Sequence, residues 1–490
     1  MKTKKIIAVL LAMSLLAVIL TACQSDDAPQ TNNPAEILEE NGFTEVDPEP
    51  SHWDILGERN FAGATFTILD ANDYIGMAIT IDTFAEEMTG EPINDAMYHR
   101  DRFIESKYNV AIEYVQMPGS YAGLRVVENS FRAGYHVYDM VISRVLGGGF
   151  EAFAPRGIFH NLADAPYLSL QSPWWSKMVH DNLSFNNQLY FTLGDIVPSS
   201  YLAPAAMYVN KRLLDDFGIE QNLYDLVFDG KWTLDVLETI TRDIDADLNN
   251  DGVMHAHDDF FGVIPLADIG HFFAVGVGIP MSTVENGSIS IDWGSPRNIQ
   301  RFNRLTDFFE SRQRPIIPGL HDHILGTFRG GRALFLTHSL ESGMLFLRDM
   351  EDPYGILPMP KFDEHQENYI SFISAWVNAF VAIPASANID KAAFLMEAMG
   401  YGGYQIIRPS MYEVTLQYKV SRDSESARAI DIIIESTYLD LNGVYNFGGS
   451  IGVLLGVLAG EMQLVSELER RAGAIQGDID NFIQAMSARE

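Results

Sequence analysis

The spacing of apolar and polar positions changes several times along the chain, and each change marks an element. Ile6 to Leu20 is apolar except for Ser14 and follows Lys2, Lys4 and Lys5. From Gln24 to about Pro50 large apolar residues are scarce among Asp, Glu, Pro, Asn and Ser. Such a composition cannot offset the entropy of ordering, so residues 23–60 read as an acidic, flexible tether. Folded structure is expected from Phe61. Ala64 to Leu69 alternates like a strand, and Asp70 to Tyr74 supplies turn residues and an aromatic. Asn94 to Tyr108 has helical spacing through Ala96, Met97, Phe103 and Ile104. Val110 to Val115 and Tyr138 to Ile142 read as further strands, the latter opening into Ser143, Arg144 and a glycine turn at 147–149.

Leu189 to Asp195 and Ala205 to Asn210 also have strand character, Lys211 to Phe217 is a short helix ended by Gly218, and Thr233 caps a helix reaching Ile244. Helices are expected near Gln300 to Arg312, Gly330 to Met350, Lys391 to Met399 and Ser424 to Glu435, with strands at Tyr354 to Pro358 and Val377 to Ile383. Strands alternating with helices define an α/β chain built on a parallel sheet with right-handed crossovers. Ligands of such sheets sit beyond the carboxyl ends of the strands. The loops of Asp73, Tyr74, Ser143 and Arg144 are therefore the first candidates for a binding surface.

The leader determines where such a chain works. Its apolar run is shorter than the roughly 20 residues a membrane-spanning helix needs, and it ends in the small residues Thr21 and Ala22, so residues 1–22 read as an export signal. With Leu20 three positions before Cys23, the stretch resembles the lipobox of bacterial lipoproteins. That resemblance implies lipid attachment at Cys23 and a place on the outer face of the cytoplasmic membrane; an ordinary secretory signal with an incidental cysteine is the plain alternative. Cys23 is the only cysteine, so no intramolecular disulfide can form and the exported part depends on its core. At 490 residues that core divides into two or more. Sixty-six acids stand against 33 bases, three of them lysines of the leader. This balance excludes nucleic acid as a partner and repels anionic lipid, so a covalent anchor must hold the body at the membrane.

At Ala205 to Ile219 (AAMYVNKRLLDDFGI) the chain resembles family 1 extracellular solute-binding proteins, the group that includes the maltodextrin-binding protein. Lys231-Trp232-Thr233, Gly330 to Phe335, Tyr354 to Pro360, Pro92 to Ala96 and Tyr404 to Arg422 extend the resemblance in chain order. It implies a monomeric, lipid-anchored, non-enzymatic receptor that delivers a solute, a carbohydrate first of all, to ABC permease subunits. It also implies a periplasmic-binding-protein-like fold, two α/β lobes joined by hinge strands that close around the solute. Crossings are expected near Asp195 to Ala205, Tyr369 to Ser374 and Ile434 to Leu441. One lobe then combines 61–195 with 372–433, the other 201–368 with 435–490. A secreted lipoprotein enzyme such as a glycan hydrolase, and an adhesion or sensor lipoprotein on the same fold, are the competing readings.

Sugar recognition needs a flat apolar face against a pyranose and planar polar groups on its hydroxyls. Tyr74, Trp174, Trp175, Tyr201 and Trp376 are the candidate platforms, and Asp73, Arg144, Asp195 and Asn378 the polar partners. A tryptophan is more often core than platform, and Trp232 and Trp293 are assigned to packing. Adjacent Trp174 and Trp175 are harder to bury together, because neighbours in an extended segment point to opposite faces. Residues 247–258 fit a calcium loop, with Asp247, Asn249 and Asp251 at positions 1, 3 and 5, Gly252 at 6, Val253 at 7 and Asp258 at 12. The alternative is an Asn/Asp-rich turn; bound calcium would be structural, and no cofactor is required. The pairs His255/His257 and His321/His323 converge poorly on one metal and read as surface loop. Adjacent carboxylates at Glu86-Glu87, Asp215-Asp216 and Asp258-Asp259 point apart, and no nucleophile-elbow, zinc-protease or phosphate-cradling motif is present.

Overall fold

The computed structural model describes residues 51–72, 83–264, 270–310, 321–376, 378–411 and 423–487. Before Leu56 these are only the start of a short helix, His52–Leu56; from Leu56 onward they belong to one unit built on two sheets.

The first sheet begins as a βαβαβ unit: β1 (Ala64–Ala71), α1 (Pro92–Tyr108), β2 (Val110–Gln116), α2 (Ser120–Arg132) and β3 (Met140–Ser143). β1 is central and pairs in parallel with both β2 and β3. α1 starts with proline in its first turn, where the missing N–H costs nothing, and ends at Asn109 in the left-handed conformation that asparagine tolerates. Its buried stripe is Ala96, Met97, Arg100, Ile104 and Tyr108. α2 escaped the sequence reading. Gly123 sits inside it because any larger side chain would strike Ala71 on β1.

The second sheet has the order β5-β6-β4-β7, formed by β4 (Ala205–Asn210), β5 (Phe261–Ile264), β6 (Ala333–Ser339) and β7 (Tyr354–Leu357). The expected helix over 330–350 is thus in large part a strand: β6 pairs on one side with β4 and on the other with β5, and every residue in it is buried. A short continuous apolar run fits a buried strand and a buried helix equally well, and here sheet pairing decides. The sheets are also mixed rather than purely parallel, since β4 runs antiparallel to β6 and β7.

Beyond the second sheet come β8 (Ser371–Phe372), β9 (Phe380–Ala382), α3 (Ile389–Gly402), α4 (Ser424–Glu435), β10 (Thr437–Tyr438) and α5 (Leu464–Ser487). β9 returns to the first sheet, antiparallel to β3, and Thr192 bridges to Val381 within it. Leu189 to Asp195 therefore contributes two isolated bridges, Thr192 with Val381 and Gly194 with Trp175, rather than a regular strand. Near the passage between the sheets Pro204 bridges to Ile373, and β8 pairs in parallel with β10. α3 packs on the first lobe, where Phe394 meets Tyr108 with ring centroids 4.9 Å apart and Lys391 Nζ lies 2.8 Å from Asp139.

Two packing relations differ from the expected division. α4 lies on the second lobe although its residues up to 433 were assigned to the first. Ser426 Oγ hydrogen-bonds Tyr224 Oη at 2.6 Å, Ile356 N donates to that same Oγ at 3.3 Å, and Lys211 pairs with Asp423. The chain has thus changed lobes before Asp423 rather than after Ile434. α5 in turn reaches back to the first lobe. Phe482 packs at 5.4 Å from Phe185 of the first and at 4.6 and 5.8 Å from Tyr445 and Phe447 of the second. No helix among the described residues is long and apolar enough to cross a membrane.

Candidate ligand cleft

The carboxyl ends of β1, β2 and β3 lie side by side, and Ser143 Oγ fastens two of them by donating to Ala71 O at 3.0 Å. The loop after β3 is shaped by Gly147 and Gly148, whose φ angles of +86° and +87° favour glycine. Arg144 Nη2 donates to Gly147 O at 2.8 Å, and Gly148 N to Glu151 Oε1 at 2.7 Å. Burial raises the carboxyl of Glu151 above its ordinary range, against the pull of these backbone amides. Val145 and Leu146 donate to Ala375 O, which brings the residues before β9 onto the same loop.

Trp376 is placed there, 46% exposed. Its ring covers Gly147 so closely that a Cβ at that glycine would lie 2.4 Å from it, and the Arg144 guanidinium sits 5.8 Å from the ring centroid. Of the expected site residues, Arg144 and Trp376 are the pair brought together beyond the strand ends. Asn378, two residues on, is fully buried. Its Oδ1 accepts from Ser199 Oγ at 2.9 Å and its Nδ2 meets no acceptor among the described residues. It ties the turn at 198–201 to the start of β9 and presents nothing to solvent.

Asp195 and Tyr201 form a second group, lining a cavity of about 500 Å³ with Trp175, Ser200, Arg408 and Thr437. Asp195 is buried, and its nearest cation is Arg408, with Nη1 at 3.7 Å from Oδ2. Burial pushes the carboxyl up to about 8, and the attraction of Arg408 reverses only part of that rise. The same guanidinium lies over the rings of Tyr201 and Tyr404, at 5.7 and 5.1 Å.

Trp174 and Trp175 are more buried than their adjacency led us to expect, with Trp175 still among the residues that line the cavity. Both are buried, and both indole N–H groups donate to Glu397 of α3, at 3.1 and 2.8 Å. Opposite-face geometry holds for a strand, but here the segment turns, and one buried carboxylate serves both rings. Glu397 and Arg408 are residues around these side chains that sequence reasoning missed. Each lies on a helix whose partner face only the tertiary packing defines. Asp73, Tyr74 and Cys23 lie outside the described residues.

The loop 247–258 closes on its own backbone. Asp247 accepts from Asn250 N and Gly252 N, Asn249 from Asp251 N, and Asp251 from Val253 N, at 2.7 to 2.8 Å. Asp258 faces His257 at 3.0 Å, while buried Asp259 takes the amides of Leu248 and His255. No three His, Cys, Asp or Glu side chains among the described residues are grouped to hold a metal ion.

Two α/β lobes, chain passages between them and a surface at the strand ends make up a two-lobe fold similar to that of several solved solute-binding proteins. The maltose-binding protein MalE of Listeria monocytogenes, solved with maltose, aligns with 85% of this chain and 98% of its own at 13% identity, with a TM-score of 0.56. The cyclic α-maltosyl-1,6-maltose-binding protein of Arthrobacter globiformis covers 86% of this chain and 100% of its own at 12% identity, also with a TM-score of 0.56. A cyclo/maltodextrin-binding protein complexed with maltotetraose covers 87% and 97% at 12% identity, with a TM-score of 0.54. At such identities the likeness is one of fold. No family model matches the chain, and no curated protein matches it.

The buried carboxyl gives a pH test with a definite sign. Asp195 keeps a proton in the fold that it loses near pH 3.8 when unfolded, so it withdraws stability as pH rises from about 4 to about 8. Asp195→Asn is neutral throughout. Its denaturant midpoint relative to the parent should climb across that window and level off above it; a difference that stays flat would mean that Asp195 is ionised and fully paired with Arg408.

Proposed function

We propose that this protein is an extracellular receptor that holds a carbohydrate in the cleft between its lobes and passes it to an ABC importer without turning it over. The observation that carries this reading is the half-exposed indole of Trp376, held against Arg144 beyond the strand ends of the first sheet. A flat apolar face beside a fixed guanidinium is what the C–H face and hydroxyls of a pyranose require. The neighbours in fold, whose bound ligands are maltose and maltotetraose, support the same class of solute. Binding would act by favouring the closed arrangement of the lobes, which a permease can distinguish from the open one.

Trp376→Ala tests the cleft directly. It removes a surface ring, so the unliganded melting temperature should stay within a degree or two of the parent while affinity for the bound saccharide falls at least about 10-fold. Unchanged affinity would move the site elsewhere, and release of a hydrolysed product by the parent protein would replace the receptor reading with an enzyme.

The leader supports a lipid anchor at Cys23, and the tether that follows would keep the receptor concentrated near its permease. A Cys23→Ser protein expressed in a bacterial host should leave the membrane fraction with its solute affinity intact. Retention in that fraction would refute the anchor.

The loop at 247–258 is read as a weak structural calcium site, because the carboxylates of Asp247 and Asp251 keep lone pairs beyond those used by the backbone. Millimolar calcium should raise the melting temperature of the parent but not of Asp251→Asn; equal behaviour of the two would make the loop an ordinary turn.

A further inference from the structure

The cavity around Asp195 shares no lining residue with the Trp376–Arg144 surface. Gly194, Asp195, Ser200 and Tyr201 line it from the segment that leaves the first lobe, and Ile434, Glu435 and Thr437 from the stretch joining α4 to β10. Helix Lys177–Leu183 and Arg408 complete it, while Pro173, Trp175 and Met178 supply its apolar lining. Its volume of about 500 Å³ is room for a small organic molecule. Asp195 is 5% exposed, and its Oδ2 has no hydrogen-bond partner among the described residues. A polar atom buried in that state is costly unless something in the cavity meets it. Arg408 Nη1 lies 3.7 Å from that oxygen. Backbone packing fixes the separation, because the turn Gly403–Ile407 that leads into Arg408 presses Gly403 so closely on Asp195 O that a Cβ there would lie 1.9 Å away.

The charged groups around Asp195 determine what the cavity accepts. Lys177 and Asp181 pair with each other, Glu435 is exposed to solvent, and Glu397 accepts from both indoles. The rings of Tyr201 and Tyr404 lie under the Arg408 guanidinium. Burial keeps the Asp195 carboxyl protonated up to about pH 8, so it offers a hydrogen beside the N–H donors and positive charge of Arg408. A carboxylate answers both groups at once, with a charge-assisted bond from the guanidinium to one oxygen and the Asp195 O–H to the other. An ammonium group would be repelled by Arg408, and a neutral polyol gains nothing from its charge. We propose that this cavity is a second ligand site, for a small organic carboxylate that accepts from both Arg408 and Asp195 and lays its carbon body on Trp175. The site goes beyond the carbohydrate reading of the cleft and is independent of it.

The test is titration calorimetry on the full chain at constant ionic strength, with acetate, succinate and benzoate as probes and methylammonium as their cationic counterpart. At about pH 6 the parent should bind at least one of the carboxylates, and at about pH 9.5, with Asp195 ionised, that affinity should fall at least about 10-fold. Asp195→Asn keeps an N–H donor in place of the O–H, so it should bind at both pH values with the difference abolished. Arg408→Gln should weaken binding at least about 10-fold, and Trp376→Ala should leave it at the parent's value. The nearly isosteric Asp195→Asn carries the test by itself if Arg408→Gln does not fold. Parent-like affinity in a folded Arg408→Gln, or a pH response that persists in Asp195→Asn, would overturn the site. Loss of carboxylate binding in Trp376→Ala, binding of methylammonium in preference to every carboxylate, or no binding of any probe would overturn it equally, and none of these outcomes touches the carbohydrate reading.

Discussion

The structure depends on how a stretch of chain without regular sheet pairing is held as it leaves the first lobe. Arg100 of α1, fully buried, donates from Nη1 to the carbonyl of Ile196 at 2.6 Å. Its other nitrogens are taken by Asp101 at 2.8 Å and Tyr114 Oη at 3.2 Å, and that hydroxyl donates onward to Asp101. A buried charge is tolerable only when so completely paired, and loss of one partner leaves the others uncompensated. The arrangement therefore fixes the crossing segment to the helix that backs the first sheet. Two glycines complete the fit. A Cβ at Gly403 would lie 1.9 Å from Asp195 O, and one at Gly194 would lie 2.3 Å from Trp174 O. With Ile196 fixed, Ser199 reaches Asn378, and through it the start of β9 and the loop that presents Trp376.

Two acidic residues near one pair of tryptophans are packed differently. Glu397 is buried and accepts from both indoles and from Ser169 N. Asp195 is buried with a guanidinium beyond hydrogen-bond reach, and burial pushes its carboxyl up to about 8. Glu341, at the end of β6, is a third case: a single hydroxyl from Ser339 does not offset its burial, and its carboxyl is also pushed up to about 8. Burial acts on the imidazole of His271 with the opposite sign and holds it down to about 3, neutral at physiological pH.

Periodicity was sufficient wherever an element buries one face. β1, β2 and α1 show their patterns because one side of each meets water or another layer. It failed for β6, whose seven buried residues carry no alternation to read, and for α4, whose stripe of Ala429, Ile430 and Ile433 announces a helix without saying which lobe it covers. The site divides in the same way. Arg144 was legible because a polar residue directly after an apolar strand sits at the strand end by construction, and Trp376 because it follows a passage between lobes. Trp174 and Trp175 misled because their partner, Glu397, lies more than 200 residues away, and no local spacing encodes a carboxylate placed between two indoles. The resemblance supplied the two-lobe architecture, while the place of α4 and the reach of α5 came only from packing.

The last helix bears on how the lobes can move. Phe185 and Phe482 are buried against each other, with Tyr445 and Phe447 completing a four-ring cluster. Exposing rings of that size costs on the order of 2 kcal/mol each, more than the contribution of a single surface ring to a ligand. An opening motion that broke the cluster would thus cost more free energy than stacking of the solute on the cleft provides.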